Sequence, residues 1–145
     1  MPPDFIPRKI EGLAPHRKPM LVVETLTFVH EDEARSSTVF PEDSLFLNAE
    51  GRVEEAVLFE MMAQTFAAFA AFGREGGAGP PAAGYLAQIR RINFNDGARP
   101  GEPVEITVRI QNQVDDFSVI SGVARQGGRL LAEGGLTIFV PGGAL

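Results

Sequence analysis

The sequence predicts an α+β fold in which a curved antiparallel sheet wraps around one long, apolar central helix. Three observations lead there. From Ala56 to Phe72 the only charged residue is Glu60, and neither proline nor glycine interrupts the run, as expected of a helix with no water-facing side. After it, apolar and polar residues alternate, most clearly in Val104-Glu105-Ile106-Thr107-Val108-Arg109-Ile110, the period of a half-buried strand. Two strand-like runs also precede the helix. A helix that cannot face water must be covered, and a sheet folded over it is the simple solution.

Residues 1–20 contain five prolines and no periodicity, so they read as an irregular lead-in. Leu21 to His30, rich in Val, Thr, Leu and Phe, predicts a strand. Glu31-Asp32-Glu33 is its turn, and Ala34 to Phe40 the second strand. Pro41 to Gly51 is a loop. The central helix spans 54–72, with Glu54 and Glu55 in the first turn, where carboxylates complement the dipole. Gly73 is a natural stop, and Gly76 to Pro81 a connector. Tyr85 to Phe94 is a strand whose apolar parity slips at Arg90-Arg91, as a β-bulge would cause. After the alternating strand, Asp115-Asp116 leads into Phe117 to Arg125. Gln126-Gly127-Gly128 fits a tight hairpin, and Arg129 to Val140 closes the chain with Leu130, Leu136, Ile138 and Val140 on one side. Two strands, a long helix and a four-stranded meander together make the hotdog architecture.

The chain has 145 residues, 44% apolar and 22% charged. That suits a single domain over 1–145 with a core of its own. A net charge of −6 argues against a nucleic-acid partner. With no cysteine, a disulfide framework, a Cys nucleophile and thiolate zinc sites are excluded, and a cytoplasmic location fits. With only His16 and His30, a multi-histidine metal site is not expected, and no cofactor is implied. The N-terminus has no signal-peptide pattern. The apolar run falls short of the ~20 residues of a bilayer span and carries a carboxylate, so no membrane partner is expected.

Glu60 is the outstanding chemical candidate. A carboxylate placed among Ala56, Val57, Ala63 and Gln64 must be protonated or find partners, and Gln64, one turn on, is placed to be one. Desolvation of such a group would raise its pKa and suit it to general acid work. The alternative is a helix-edge position or a structural pairing with an arginine. His16 lies between prolines ahead of the first strand and is either a structural group or a base. His30 reads as a solvated turn residue. Arg17, Lys18, Arg90, Arg91 and Arg99 are basic spots on an acidic chain: solvated surface, or anchors for a phosphate or an acidic carrier.

Pro15-His16-Arg17-Lys18-Pro19-Met20-Leu21-Val22-Val23-Glu24 resembles the Pro-His-Arg-x-Pro opening of 3-hydroxyacyl-acyl-carrier-protein dehydratases. Val57-Leu58-Phe59-Glu60-Met61-Met62-Ala63-Gln64 is similar to their central-helix signature, and Pro100-Gly101-Glu102 to their Pro-Gly-Asp turn. The resemblance runs from about Leu13 to Val140. It departs at the family's Gly-His-Phe-Pro-Gly loop. The position of the usual catalytic His, fourteen residues before the helix Glu, is Phe46. Glu54-Glu55 replaces the family's Pro-Gly before the helix; the glycines of that pair and of the loop help supply backbone N–H donors for the thioester oxygen. Glu60-Met61-Met62-Ala63-Gln64-Thr65 is most like the dehydratase-like hotdog proteins of aryl polyene biosynthetic clusters.

This resemblance implies a dehydratase-like protein of fatty-acid or polyene biosynthesis. Its substrate would be a 3-hydroxyacyl thioester carried by acyl carrier protein or CoA. It also implies a homodimer or higher homo-oligomer with the acyl tunnel at the interface. Glu60 would be the acid and His16 the base; Gln64, Phe46 and Phe59 would contact substrate; Arg17, Arg90 and Arg91 would dock the phosphopantetheine or carrier. Phe59, Met62, Phe66 and Phe69 would line the tunnel or pack in the core. The alternatives are an acyl thioesterase and a non-catalytic acyl-binding partner subunit of a dehydratase.

Overall fold

The computed structural model describes residues 6–73 and 84–142; the expected connector Gly76 to Pro81 lies outside them. Among the described residues, seven strands form one antiparallel sheet around one helix. They are β1 (Arg8–Lys9), β2 (Thr25–His30), β3 (Glu33–Val39), α1 (Glu55–Gly73), β4 (Tyr85–Phe94), β5 (Pro103–Val114), β6 (Phe117–Gln126) and β7 (Arg129–Phe139). The strand order is β1-β2-β3-β5-β6-β7-β4. This is the α+β hotdog arrangement that the patterning predicts.

The turns follow the local chemistry. Glu31 takes φ 52° between β2 and β3, and Asp115 takes φ 53° between β5 and β6. Gly127 and Gly128 have φ 55° and 80°, the paired left-handed conformation of a two-residue hairpin. The parity slip in β4 is a bulge: register shifts between Arg90 and Asn93, and Arg91 has φ 54°.

The structure corrects the sequence reading in four places. The meander has three strands, not four, because β4 pairs with β7 and β5 inserts between β3 and β6. The link from Asn95 to Glu102 makes this possible. It leaves β7 through the Asn95 N–H to Leu131 carbonyl bond and reaches β3's end through the Gly101 N–H to Phe40 carbonyl bond, with Ala98 accepting from Val53 N on the way. Second, the lead-in contributes β1 and three buried residues, Ile10, Leu13 and Ala14. Leu21 to Glu24, expected as strand, precedes β2. Third, Leu131 rather than Leu130 is buried, since a bulge beside Ala124–Arg125 shifts the register of β6 on β7.

The fourth correction concerns the helix. It is long and apolar enough to cross a membrane by composition, yet most of it is buried inside the protein. It is not buried all round: Ala56, Glu60, Ala63, Ala67 and Ala71 form a partly exposed stripe, repeating every three or four residues on one face. Opposite it, the helix presses closely on the sheet. A Cβ added at Gly134 would lie 2.8 Å from Phe59 Cε1, and one at Gly122 would lie 2.5 Å from Met62 Sδ. Thr65, fully buried, ties the helix to β3 by accepting from Ser36 Oγ at 2.8 Å while donating to its own Met61 carbonyl.

Candidate active site

Two segments distant in sequence meet at the open stripe of the helix. Glu60 arrives on the second turn of α1. His16 arrives on the strap that runs from Ala14 to β2. His16 Nε2 stands 3.7 Å from Glu60 Oε1, with side-chain exposures of 29% and 40%. The full desolvation expected of Glu60 is therefore absent in this single chain, because the sheet leaves that face of the helix uncovered. His16 Nδ1 is buried without a hydrogen-bond partner among the described residues.

The pair heads a narrow slot. Its walls are Ala63, Phe66, Ala67, Ala70 and Ala71 from the helix, with Gly84, Leu86, Ile138 and Val140 opposite. The enclosed space is about 50 Å³, within about 520 Å³ when the open mouth is counted. Beyond the acid and the imidazole the lining is apolar. Such a site can place a polar, reacting end of a molecule between two proton-transfer groups and its hydrocarbon end along the alanine face.

The strap is held in shape by its own polar groups. Arg17 Nη1 donates to the carbonyls of Ala14 at 3.0 Å and His16 at 2.8 Å, so this guanidinium is engaged in folding the strap. Leu21 N donates to the Arg17 carbonyl at 3.0 Å. Gln64, fully buried, accepts from Val22 N at 2.9 Å and donates to the Met20 carbonyl at 2.8 Å and to Glu60 Oε1 at 3.0 Å. It is not among the described residues that line the slot.

The other candidates lie apart. Phe46, at the position of the usual family histidine, is half-buried against the core, and its carbonyl accepts from Glu54 N at 3.0 Å. This ties the loop to the helix start. Phe59 packs against β7 at Gly134, and Met62 packs on Gly122; of the four expected lining residues, only Phe66 borders the slot. His30, 72% exposed at the side chain, lies 3.7 Å from Glu31, as a solvated turn residue would.

Arg90 and Arg91 rim a different, open basin of about 590 Å³ with Gln111, Ser121, Glu133 and Gly135. Arg90 pairs with Gly135, next to the helix-facing Gly134. Strand alternation thus puts Arg90 on the outer face of the sheet, away from the slot. Both arginines are exposed, and neither is paired among the described residues.

Sequence reasoning found Glu60, His16 and the Glu60–Gln64 bond but missed most of the slot wall. The signal was present: Ala63, Ala67, Ala70 and Ala71 lie on the same helical face as Glu60, and small side chains leave room where large ones would fill it.

The ApeP-like family model, described as ApeP dehydratase, matches residues 8–144. No curated protein matches the sequence. Among solved structures, the dehydratase heterocomplex ApeI:P from Xenorhabdus doucetiae contains a chain that superposes with a TM-score of 0.83 at 22% identity, covering 92% of this chain and 91% of that one. A hypothetical thioesterase with coenzyme A from Streptococcus pneumoniae TIGR4 gives 0.63 at 18% identity, covering 79% and 86%. The E. coli PaaI protein from the phenylacetic acid degradation operon gives 0.62 at 16% identity, covering 79% and 80%. These likenesses establish the shared fold.

Proposed function

Because the chain belongs to the ApeP-like dehydratase family, we propose that it dehydrates 3-hydroxyacyl thioesters presented by an acyl carrier protein or CoA, in fatty-acid or polyene biosynthesis in the cytoplasm. The observation that carries this reading is the His16–Glu60 pair, 3.7 Å apart at the head of an apolar slot. A 3-hydroxyacyl thioester offers an acidic C2 proton and a C3 hydroxyl on adjacent carbons, a spacing that suits two groups this close on one wall. His16 Nε2 takes the C2 proton, and Glu60 gives a proton to the departing hydroxyl. The C2–H and C3–O bonds break, the C2=C3 bond forms and water leaves. The proton on His16 then passes to Glu60 by way of the water just formed, which restores both groups without a further reagent. From Glu60 to Ala71 the helix rises about 16 Å, the length offered to the acyl chain.

Arg90 and Arg91, unpaired on the outer sheet face, would hold the acidic carrier by charge complementarity. The edge strand β4 exposes Tyr85, Leu86, Ile92 and Phe94. An unpaired apolar edge is a template for pairing with another chain, and a second copy joined there would roof the slot. Ile92→Lys is expected to shift the protein toward the monomer in sedimentation equilibrium; an unchanged dimer would place the interface elsewhere.

Incubation of the purified protein with a 3-hydroxyacyl thioester, followed by mass spectrometry, tests the reaction. An enoyl thioester is expected. Free acid and thiol would instead support a thioesterase, which the likeness to a coenzyme A-bound hypothetical thioesterase keeps as the second reading. Turnover only after addition of a dehydratase chain would support a partner subunit, in line with the likeness to a heterocomplex.

A further inference from the structure

Gln64 joins the two halves of the site. All three of its hydrogen bonds are made inside the protein, and their partners fix the amide's orientation, since a backbone N–H only donates and a carbonyl only accepts. On one side, its Nε2 donates to Glu60 Oε1 at 3.0 Å. That oxygen is also the one facing His16 Nε2, while Oε2 has no partner among the described residues. On the other side, the bonds to Met20 and Val22 anchor the end of the strap that carries His16, and the Leu21–Arg17 bond passes that anchor back to the histidine.

We propose that Gln64 is a positioning residue with two effects, an inference that rests on the dehydratase reading above. It assigns the oxygens of Glu60 separate tasks: Oε1 is kept as a hydrogen-bond acceptor toward Gln64, and Oε2 carries the proton delivered to the 3-hydroxyl. It also sets the His16–Glu60 separation by tethering the strap to the helix. As the C3–O bond breaks, the proton leaves Oε2 and negative charge grows on the carboxylate. The Gln64 N–H on Oε1 stabilises that charge in place. A buried amide with every bond satisfied is stiff, which suits a group that must hold two others at a fixed distance.

The test needs a readout that mere loss of stability would not move. His16 and His30 are the chain's only histidines, and the exposed His30 serves as an internal reference for imidazole NMR. Of the described residues that line the slot with His16, Glu60 alone is charged and the rest are apolar; Arg17 and Lys18 follow His16 on the strap, and Glu11 bridges to Ala14 just before it. In the full-length protein, Glu60→Gln is expected to move the His16 signals, and the same change in a Gln64→Met background to leave them where they are. Equal responses in both backgrounds would overturn the tether. Should Gln64→Met fail to fold, Gln64→Glu takes its place in the cycle.

Turnover supplies the second readout. Gln64→Glu is expected to lower kcat by roughly 10- to 100-fold at neutral pH with KM little changed. It should recover as the pH falls and the new carboxyl, once protonated, donates to Glu60 as the amide did. Wild-type kcat in this variant, or a loss with no acid recovery, would overturn the assignment of oxygens. If the wild type forms no enoyl product, the dehydratase reading fails, the oxygen assignment falls with it, and the NMR cycle alone decides the tether.

Discussion

Nε2 of His16 and Oε1 of Glu60 stand 3.7 Å apart, one on a proline-flanked strap and the other on the central helix. Groups that act on one substrate together lose most of their value when either is removed. Glu60→Gln and His16→Asn are each expected to lower kcat for enoyl formation by roughly 10²- to 10⁴-fold. The double variant should be little worse than the poorer single one. Undiminished turnover in Glu60→Gln, with the circular dichroism spectrum intact, would remove that carboxylate from the reaction.

On the dehydratase reading proposed above, the outer basin would separate carrier recognition from chemistry. Reversing both charges, Arg90→Glu with Arg91→Glu, should raise KM for a carrier-bound substrate and weaken its salt dependence. Turnover of a short pantetheine thioester without the carrier should stay within about twofold, since a rim charge acts mainly on encounter. An equal loss on both substrates would move these arginines out of carrier docking.

Adjacent glycines in β7 give a stability test of helix seating. A Cβ at Gly134 would meet Phe59 Cε1 at 2.8 Å, whereas one at Gly135 meets nothing closer than 3.7 Å. Overpacking a tight contact costs about 1–3 kcal/mol. Gly134→Ala should therefore lower Tm by several degrees, at about 2–4 °C per kcal/mol for a chain near this size. Gly135→Ala should change it far less. Equal melting temperatures would mean that the ring moves aside freely.

Glu33 sets an acid limit on stability. Hydrogen bonding to Arg109 holds its carboxyl below the usual carboxylate range, with Arg35 adding to the effect and burial opposing it. A depressed folded-state pKa contributes stability that is present above the unfolded value, about 4.3 for Glu. That contribution is lost as pH falls through the lower folded value. Glu33→Gln should thus destabilise the protein in urea titrations at pH 7, and its effect should shrink as the pH falls below the ordinary carboxylate range. Salt should shrink the difference, because both arginine side chains are substantially exposed. A destabilisation that persists unchanged in acid would show that packing, not charge, matters there.

The central helix, the strands around it and the isolation of Glu60 were legible because they depend on local periodicity. A proline-free apolar run and a strict alternation each favour one backbone conformation whatever surrounds them. The bulge at Arg90-Arg91 was legible for the same reason, as a break in parity. Strand order was not, since β4 and β5 are neighbours in the chain but lie apart in the sheet, and no local pattern records which edge an eight-residue link will reach. Burial of the helix was over-read: apolarity on every side said that Ala63, Ala67 and Ala71 could be covered, not that this chain covers them.

What the residues alone determined is the set of parts: a greasy helix bearing one acid, strands enough to wrap it, and two histidines of which one sits in a family motif. Tertiary structure decided their meeting. It brought the strap across the helix and used Gln64 to fasten it, so that an imidazole and a carboxylate share one slot. It also turned Arg90 to the other side of the sheet. Both outcomes rest on contacts between segments far apart in sequence, whose energies depend on the whole packed arrangement and leave no trace in the spacing of residues along the chain.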